Sequence, residues 1–127
     1  MLLNCPVSLG EVVDKLAILR VKEKNINDDG KLRHIQREVE HLEGVLCGVL
    51  NDALQAHFQE LVQINGRLWK IEDDIREKER AQEFDADFIA LARSVYRVND
   101  ERFAVKNLIN HAFGSELKEV KSYQKFE

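Results

Sequence analysis

The sequence is poor in the residues that interrupt helices. Among 127 residues there is one proline, Pro6, and there are only six glycines. Charged residues make up 33% of the chain and apolar residues 44%. Because sheets joined by tight turns need more glycine and proline than this, the composition favours a few long helices. A chain of this length is expected to form one domain over residues 1–127.

Cysteines and long apolar runs are scarce as well. The two cysteines, Cys5 and Cys47, form no C-x-x-C pair, so neither a disulfide framework nor a zinc site is predicted. No run approaches the roughly 20 apolar residues that cross a bilayer. The first residues, MLLNCPVSLGEVVDK, lack the basic start of a secretion signal. We therefore expect a cytoplasmic protein with reduced thiols and no membrane span.

The charges are mixed rather than segregated. The 23 acidic and 19 basic residues are interspersed and give a net charge of −4, which argues against a nucleic-acid partner. The glycine-rich phosphate-binding motifs and the G-x-S-x-G motif are absent from the sequence. Glu38 and His41 have the E-x-x-H spacing of di-iron bundles, but the sequence has no second E-x-x-H. No metal or cofactor is predicted.

Capping residues and apolar periodicity predict four helices. The first begins at the capping box of Ser8 and Glu11 and ends at about residue 25. The second begins at Asp28 or Asp29, and its apolar seam alternates spacings of three and four up to Val49. The third and fourth are expected over about 52–80 and 86–113, after caps at Asn51–Asp52 and Asp85 and before a C-terminal cap at Gly114.

Four long helices with short connections predict an all-α antiparallel bundle. The tail at 115–127 is expected to be loose or to dock on a partner. Because the predicted helices differ in length, projecting ends are expected to pair with a second copy. We therefore predict a homodimer.

Polar side chains interrupt the apolar faces of two helices. On the third helix Asn65, Trp69, Glu72 and Arg76 form one row, since steps of three and four stay on one helical face. On the fourth helix Asn99, Arg102, Lys106 and Asn110 form another, and the first helix adds Asp14 within an apolar arc. The two rows are complementary in charge. They are therefore predicted to meet in one polar seam.

Three interpretations of this seam stay open. It is either a closed structural network that fixes the register of the helices, a ligand-binding pocket between the third and fourth helices, or a catalytic site. If the network is closed, Glu72→Gln should cost about 3–5 kcal/mol of stability, because a buried charge loses its partner. If it is an open pocket, that variant should stay folded and lose a ligand. The pocket would be lined by Glu72, Arg76, Arg102 and Lys106 and would suit an anionic small molecule.

Three segments carry a resemblance to a known family. SLGEVVDKLAIL, INGRLWKIEDDIR and FIALARSVYRVNDERFAVKNLINHAFGS resemble a bacterial family of small helical proteins, a domain of unknown function. Members of that family often occur beside glycosyltransferase or surface-polysaccharide genes, which implies a supporting role there. The matching positions are Asp14, Lys15, Asn65, Trp69, Glu72, Asp73, Arg76, Arg93, Tyr96, Asn99, Asp100 and Arg102.

The sequence thus predicts a non-enzymatic helical binding or accessory protein with a protein partner or a second copy. The alternative is a small enzyme or ligand sensor that binds an anionic small molecule in the charged pocket.

Overall fold

The structure is a computed structural model that describes residues 1–114, so the predicted tail at 115–127 lies outside the described residues. The described part consists of four helices joined by short connections and contains no strand. They are α1 (Leu9–Asn25), α2 (Asp29–Leu46), α3 (Asp52–Ala81) and α4 (Ala86–Ala112). The predicted all-α bundle of four helices is confirmed. None of these helices is both long and apolar enough to cross a bilayer.

All four helices begin at the predicted caps. The side-chain oxygens of Ser8, Asp28, Asn51 and Asp85 each accept a hydrogen bond from the backbone N–H three residues later, at 2.8 to 3.2 Å. Each bond satisfies a backbone donor of the first turn that has no partner within the helix. Short polar side chains therefore determine where each helix starts.

The predicted end of the second helix is wrong. The apolar seam continues to Val49, but α2 ends at Leu46 and Val49 is 41% exposed. Gly48 has a φ of +82°, a left-handed conformation that stops the helix and that glycine adopts without steric cost. The end of α4 agrees with the prediction to within one residue, and Gly114 takes the left-handed conformation of a C-terminal cap.

α1 is the central helix of the bundle. It packs against each of the other helices, α3 and α4 pack against each other, and α2 packs against α1. Arg67 pairs with Glu101 at 2.8 Å and Lys78 with Asp85 at 3.0 Å, so α3 and α4 form an antiparallel hairpin. The turn of this hairpin, residues 82–85, is called the hairpin tip below.

Burial is uneven along the hairpin. Leu54 and Leu61 in the first half of α3 and Ile109 near the end of α4 are fully buried. Leu68, Ile71 and Ile75, which continue the same apolar stripe of α3, are only partly buried. The hairpin is therefore well covered by other helices at one end and incompletely covered toward its tip.

Candidate functional site

A buried carboxylate joins three helices at the centre of the bundle. Asp14 of α1 is 1% exposed. It accepts hydrogen bonds from Arg102 Nε at 3.0 Å and from Asn65 Nδ2 at 2.9 Å, and Arg102 Nη2 also contacts Asp14 Oδ2. Charge-assisted bonds of this kind fix both distance and orientation. Asp14 thereby holds α3 and α4 in register against α1.

A second cation completes this group of charges. Lys106 is 5% exposed, and its Nζ lies 2.9 Å from Glu11 Oε2 and 3.8 Å from Asp14 Oδ2. The two carboxylates, Glu11 and Asp14, therefore balance the two cations, Arg102 and Lys106. Buried charges are tolerated when they are paired and hydrogen-bonded in this way. We call Glu11, Asp14, Asn65, Arg102 and Lys106 the closed network.

The start of α1 lies unusually close to the end of α4. Gly10 donates its backbone N–H to Asn110 Oδ1 at 2.7 Å. A Cβ at position 10 would lie 2.6 Å from the carbonyl oxygen of Lys106, so only glycine fits. Asn110 Nδ2 is buried and has no hydrogen-bond partner among the described residues. This contact between α1 and α4 anchors one end of the closed network.

Next to the closed network, toward the hairpin tip, the three helices separate and leave an open cleft. Its volume is about 410 Å³. The residues that line it are Ile18, Val21, Lys22, Asn65, Leu68, Trp69, Glu72, Asp73, Arg76, Asn99 and Arg102. We call this space the cleft.

The cleft carries charges of both signs, and one pair among them is exposed and loose. Its described lining includes the cations Lys22, Arg76 and Arg102 and the acids Glu72 and Asp73. Arg76 Nη2 lies 3.8 Å from Glu72 Oε2, and these side chains are 70% and 46% exposed. Such a solvent-exposed pair is weak. Arg76 and Glu72 can therefore exchange each other for a ligand at little cost.

A family model described as a family of unknown function (DUF6165) matches residues 3–126. The chain belongs to DUF6165. No curated protein and no solved structure matches it. The expected resemblance to a family of unknown function is confirmed.

The structure divides the predicted seam of this DUF6165 chain into two parts. Among the predicted residues, those that line the cleft are Asn65, Trp69, Glu72, Arg76, Asn99 and Arg102. Asp14 and Lys106 lie in the closed network, and Arg102 and Asn65 belong to both parts. Lys106, predicted as a pocket residue, does not line the cleft. It lies one helical turn beyond Arg102 and reaches Glu11 instead.

The sequence analysis did not predict two structural features of α1. Lys22 is not among the predicted site residues, but it lines the cleft beside Ile18 and Val21. The available signal was its position four residues after Ile18, which places both side chains on one helical face. The contact between Gly10 and Asn110 joins residues 100 positions apart, so the place of Asn110 in the polar row of the fourth helix did not reveal its partner.

The discounted motifs stay on the surface. Glu38 and His41 are both exposed, and no group of acids, histidines or cysteines that could hold a metal ion occurs in residues 1–114. Cys5 and Cys47 are exposed free thiols.

Three ionisable groups of the hairpin have shifted pKa values. A hydrogen bond from Arg93 lowers the pKa of Tyr96. The Phe88 backbone N–H, and then Lys78, lower the pKa of Asp85, while Asp85 and then Glu83 raise the pKa of Lys78. All three groups lie outside the described lining of the cleft, so their ionisation does not set the charge of its walls.

Proposed function

We propose that this chain is a non-enzymatic helical binding protein that holds a small anionic molecule in the cleft. One observation carries the proposal: each of the three helices contributes a cation to the cleft, Lys22 from α1, Arg76 from α3 and Arg102 from α4. A volume of about 410 Å³ lies within the range of pockets for small organic ligands.

The closed network supports binding by fixing one wall of the cleft in advance. The Asp14 carboxylate accepts from Nε and Nη2 of Arg102 and so holds the guanidinium in place. Asp14 also accepts from Nδ2 of Asn65 and fixes that amide. A side chain that is already oriented loses little conformational entropy when a ligand arrives. Arg102 thus supplies an ordered cation, whereas Arg76, at 70% side-chain exposure, can adapt to the ligand.

The chemistry of the cleft favours binding over catalysis. Among the described residues that line it there is no cysteine, histidine, serine or threonine, the residues that most often act as nucleophile or general base. The partly buried indole of Trp69 adds an apolar, planar surface, which suits a ligand that carries a ring as well as an anionic group.

A small enzyme is the second candidate, because two carboxylates share the cleft with cations. Glu72 and Asp73 both line it, next to the guanidinium of Arg76. A carboxylate beside a bound anion could act as a general acid or base. This candidate requires that a bound probe be converted to a product.

The proposal extends to the setting in which the protein acts. The sequence resemblance supports an accessory role in surface-polysaccharide biosynthesis in a bacterial cytoplasm. The unequal lengths of the helices, 17 and 18 residues for α1 and α2 against 30 and 27 for α3 and α4, support a homodimer.

Thermal unfolding in the presence of anions tests the proposal. The probes are inorganic phosphate, pyrophosphate, succinate and uridine diphosphate glucose, followed by titration calorimetry for any probe that stabilises the protein. A ligand of the folded state at a hundred times its Kd adds about 2.7 kcal/mol to the free energy of unfolding. We expect at least one probe to raise the melting temperature in a saturable way.

Two matched arginine variants locate the binding. Arg76 lines the cleft, whereas Arg80 lies outside its described lining and contacts Glu77; their side chains are 70% and 69% exposed. We expect Arg76→Gln to weaken binding of the active probe about tenfold or more, since a hydrogen bond to a charged group contributes about 1.5–3 kcal/mol. Arg80→Gln should bind like the wild type. The proposal is contradicted if no probe raises the melting temperature, or if Arg76→Gln and Arg80→Gln lose the same affinity for the probe. Conversion of a bound probe to a product favours the enzyme.

A further inference from the structure

The charges that line the cleft are balanced in number. Arg102 belongs to the closed network, in which two carboxylates balance two cations. The other charged residues of the described lining are two cations and two acids, Lys22, Arg76, Glu72 and Asp73. A ligand that carries only an anionic group would therefore meet as many repelling as attracting charges. Electrostatic complementarity favours a ligand with charges of both signs.

Lys22 and Asp73 lie at the same height on two walls of the cleft. The contacts between α1 and α4 show that these helices are antiparallel, as are α3 and α4, so α1 and α3 are parallel. A hydrogen bond joins Asp14 of α1 to Asn65 of α3. Lys22 and Asp73 each follow that bond by eight residues, which is about 12 Å along a helix axis. A cation of α1 and an acid of α3 therefore lie on opposite sides of the cleft.

These two charges are not satisfied by the described part of the chain. No ion pair among residues 1–114 includes Lys22 or Asp73. The Lys22 ammonium and the Asp73 carboxylate therefore lie more than 4.0 Å apart, although both residues line one cleft. A ligand with charges of both signs can pair with both residues at once.

The wall formed by α3 suits an ammonium group. Glu72 and Asp73 follow Trp69 by three and four residues, so the three side chains are neighbours on the helix surface. All three line the cleft. Carboxylates form charge-assisted hydrogen bonds with an ammonium group, and the face of an indole ring attracts cations. The apolar side chains of Ile18 and Leu68 line the same space and can cover the body of a ligand.

We propose that the ligand of the cleft is a small zwitterion, a molecule whose apolar or ring-shaped body carries one ammonium group and one anionic group. The ammonium group binds Glu72 and Asp73 beside Trp69, and the anionic group binds Lys22 on the opposite wall. This inference rests on the proposed function and narrows its class of ligand. The two acids then act in specificity, because they repel an anion that lacks the ammonium group. Amino acids with large side chains and amino sugar phosphates share this chemistry.

Two matched pairs of probes test the need for an ammonium group. Titration calorimetry compares phenylalanine with hydrocinnamate, and glucosamine phosphate with glucose phosphate esterified at the same hydroxyl group. Only the first member of each pair carries an ammonium group. In at least one pair we expect the first member to bind about fivefold tighter or more, which is the effect of one exposed ion pair at the upper end of its range. The pair that shows this preference distinguishes an amino acid from an amino sugar.

Two neighbouring aspartates locate the preference. Asp73 lines the cleft, whereas Asp74 lies outside its described lining and pairs with Lys70. Asp73→Asn should reduce the ratio of the two dissociation constants within the preferred pair, and Glu72→Gln should do the same. Asp74→Asn removes the same charge from the protein and should keep the wild-type ratio. Circular dichroism confirms that each variant is folded.

The outcomes separate this inference from the proposed function. Equal binding of both members in each pair overturns the inference, as does an equal loss of preference in Asp73→Asn and Asp74→Asn. A protein that binds phosphate or succinate but neither ammonium-bearing probe refutes the zwitterion alone. A protein that binds none of the anions refutes the proposed function as well.

Discussion

Asn65 and Glu72 lie two turns apart on the same face of α3, yet their surroundings differ. Asn65 is 6% exposed and bonded to Asp14, whereas the side chain of Glu72 is 46% exposed and faces the cleft. The difference arises from α1. Its first turns are drawn against α4 by the contact between Gly10 and Asn110, while its later residues, Ile18 and Lys22, form a wall of the cleft.

The polar seam differs in burial along its length. One continuous helical row supplies both a structural network and an open site: the part beside the start of α1 forms the closed network, and the part beside the end of α1 lines the cleft. The two parts share Arg102, whose guanidinium contacts Asp14 and also lines the cleft. The closed network therefore holds Asn65 and Arg102 in place, and both of these residues also line the cleft.

The largest expected effect is a difference in the free energy of unfolding between variants of two carboxylates, Asp14 and Glu72. Asp14→Asn removes the carboxylate that pairs with the Arg102 guanidinium and lies 3.8 Å from Lys106 Nζ, and removing one partner from a buried charge network costs about 3–5 kcal/mol. Glu72→Gln should change the free energy of unfolding by no more than about 0.5–1 kcal/mol, because its pair with Arg76 is exposed. Urea denaturation of both variants measures the difference. Similar losses of stability in Asp14→Asn and Glu72→Gln would show that the polar seam is not divided into a closed network and an open cleft.

The expectation that Glu72→Gln is strongly destabilising applied only to a closed site. Because Glu72 lines an open cleft, that substitution becomes a test of ligand binding, and Asp14 takes over as the position that tests structure.

A smaller effect on stability is expected at Gly10, where α1 contacts α4. Gly10→Ala forces a methyl group against the carbonyl oxygen of Lys106, and overpacking of this kind costs about 1–3 kcal/mol. Gly66→Ala, in the interior of α3, meets no atom within 4 Å and should stabilise the protein by about 0.5–1 kcal/mol, because alanine favours a helix over glycine. Thermal unfolding of both variants checks the opposite signs. A neutral Gly10→Ala would mean that α1 and α4 can separate without loss.

The sequence was sufficient for features that depend on neighbouring residues. The four caps could be predicted because each side chain bonds an N–H only three residues away. The end of α2 could not be predicted in this way. The apolar spacing continues to Val49, but the left-handed conformation of Gly48 turns the chain before that residue. Periodicity gives the angle of a side chain on its helix but not the distance to the next helix. For that reason the sequence could place each polar row on one face of its helix, while the division between network and cleft required the structure.

The smallest expected effect concerns the ion pair at the hairpin tip, where the side chains of Lys78 and Asp85 are 21% and 49% exposed. Asp85 Oδ1 accepts the Phe88 N–H at 2.9 Å and Asp85 Oδ2 accepts from Lys78 at 3.0 Å, and both bonds lower the pKa of Asp85. A lowered pKa means that the stabilising contribution is complete above the unfolded-state pKa, about 3.9, and is lost as the pH falls through the folded-state pKa. For Lys78, whose pKa is raised, the contribution is complete below about 10.4 and is lost as the pH rises through the raised pKa.

Titration of Asp85 by NMR separates the two causes of its lowered pKa. Lys78→Gln should raise the pKa of Asp85 only part of the way to its ordinary value, because the larger cause, the Phe88 N–H, remains. Lys70→Gln, which removes an exposed lysine paired with Asp74, should leave it unchanged. About 1 M salt should reduce the contribution of Lys78, since the Debye length falls to about 3 Å, but not that of the helix cap. An Asp85 that titrates normally in the wild type, or one that Lys78→Gln does not move, would contradict this account of the tip.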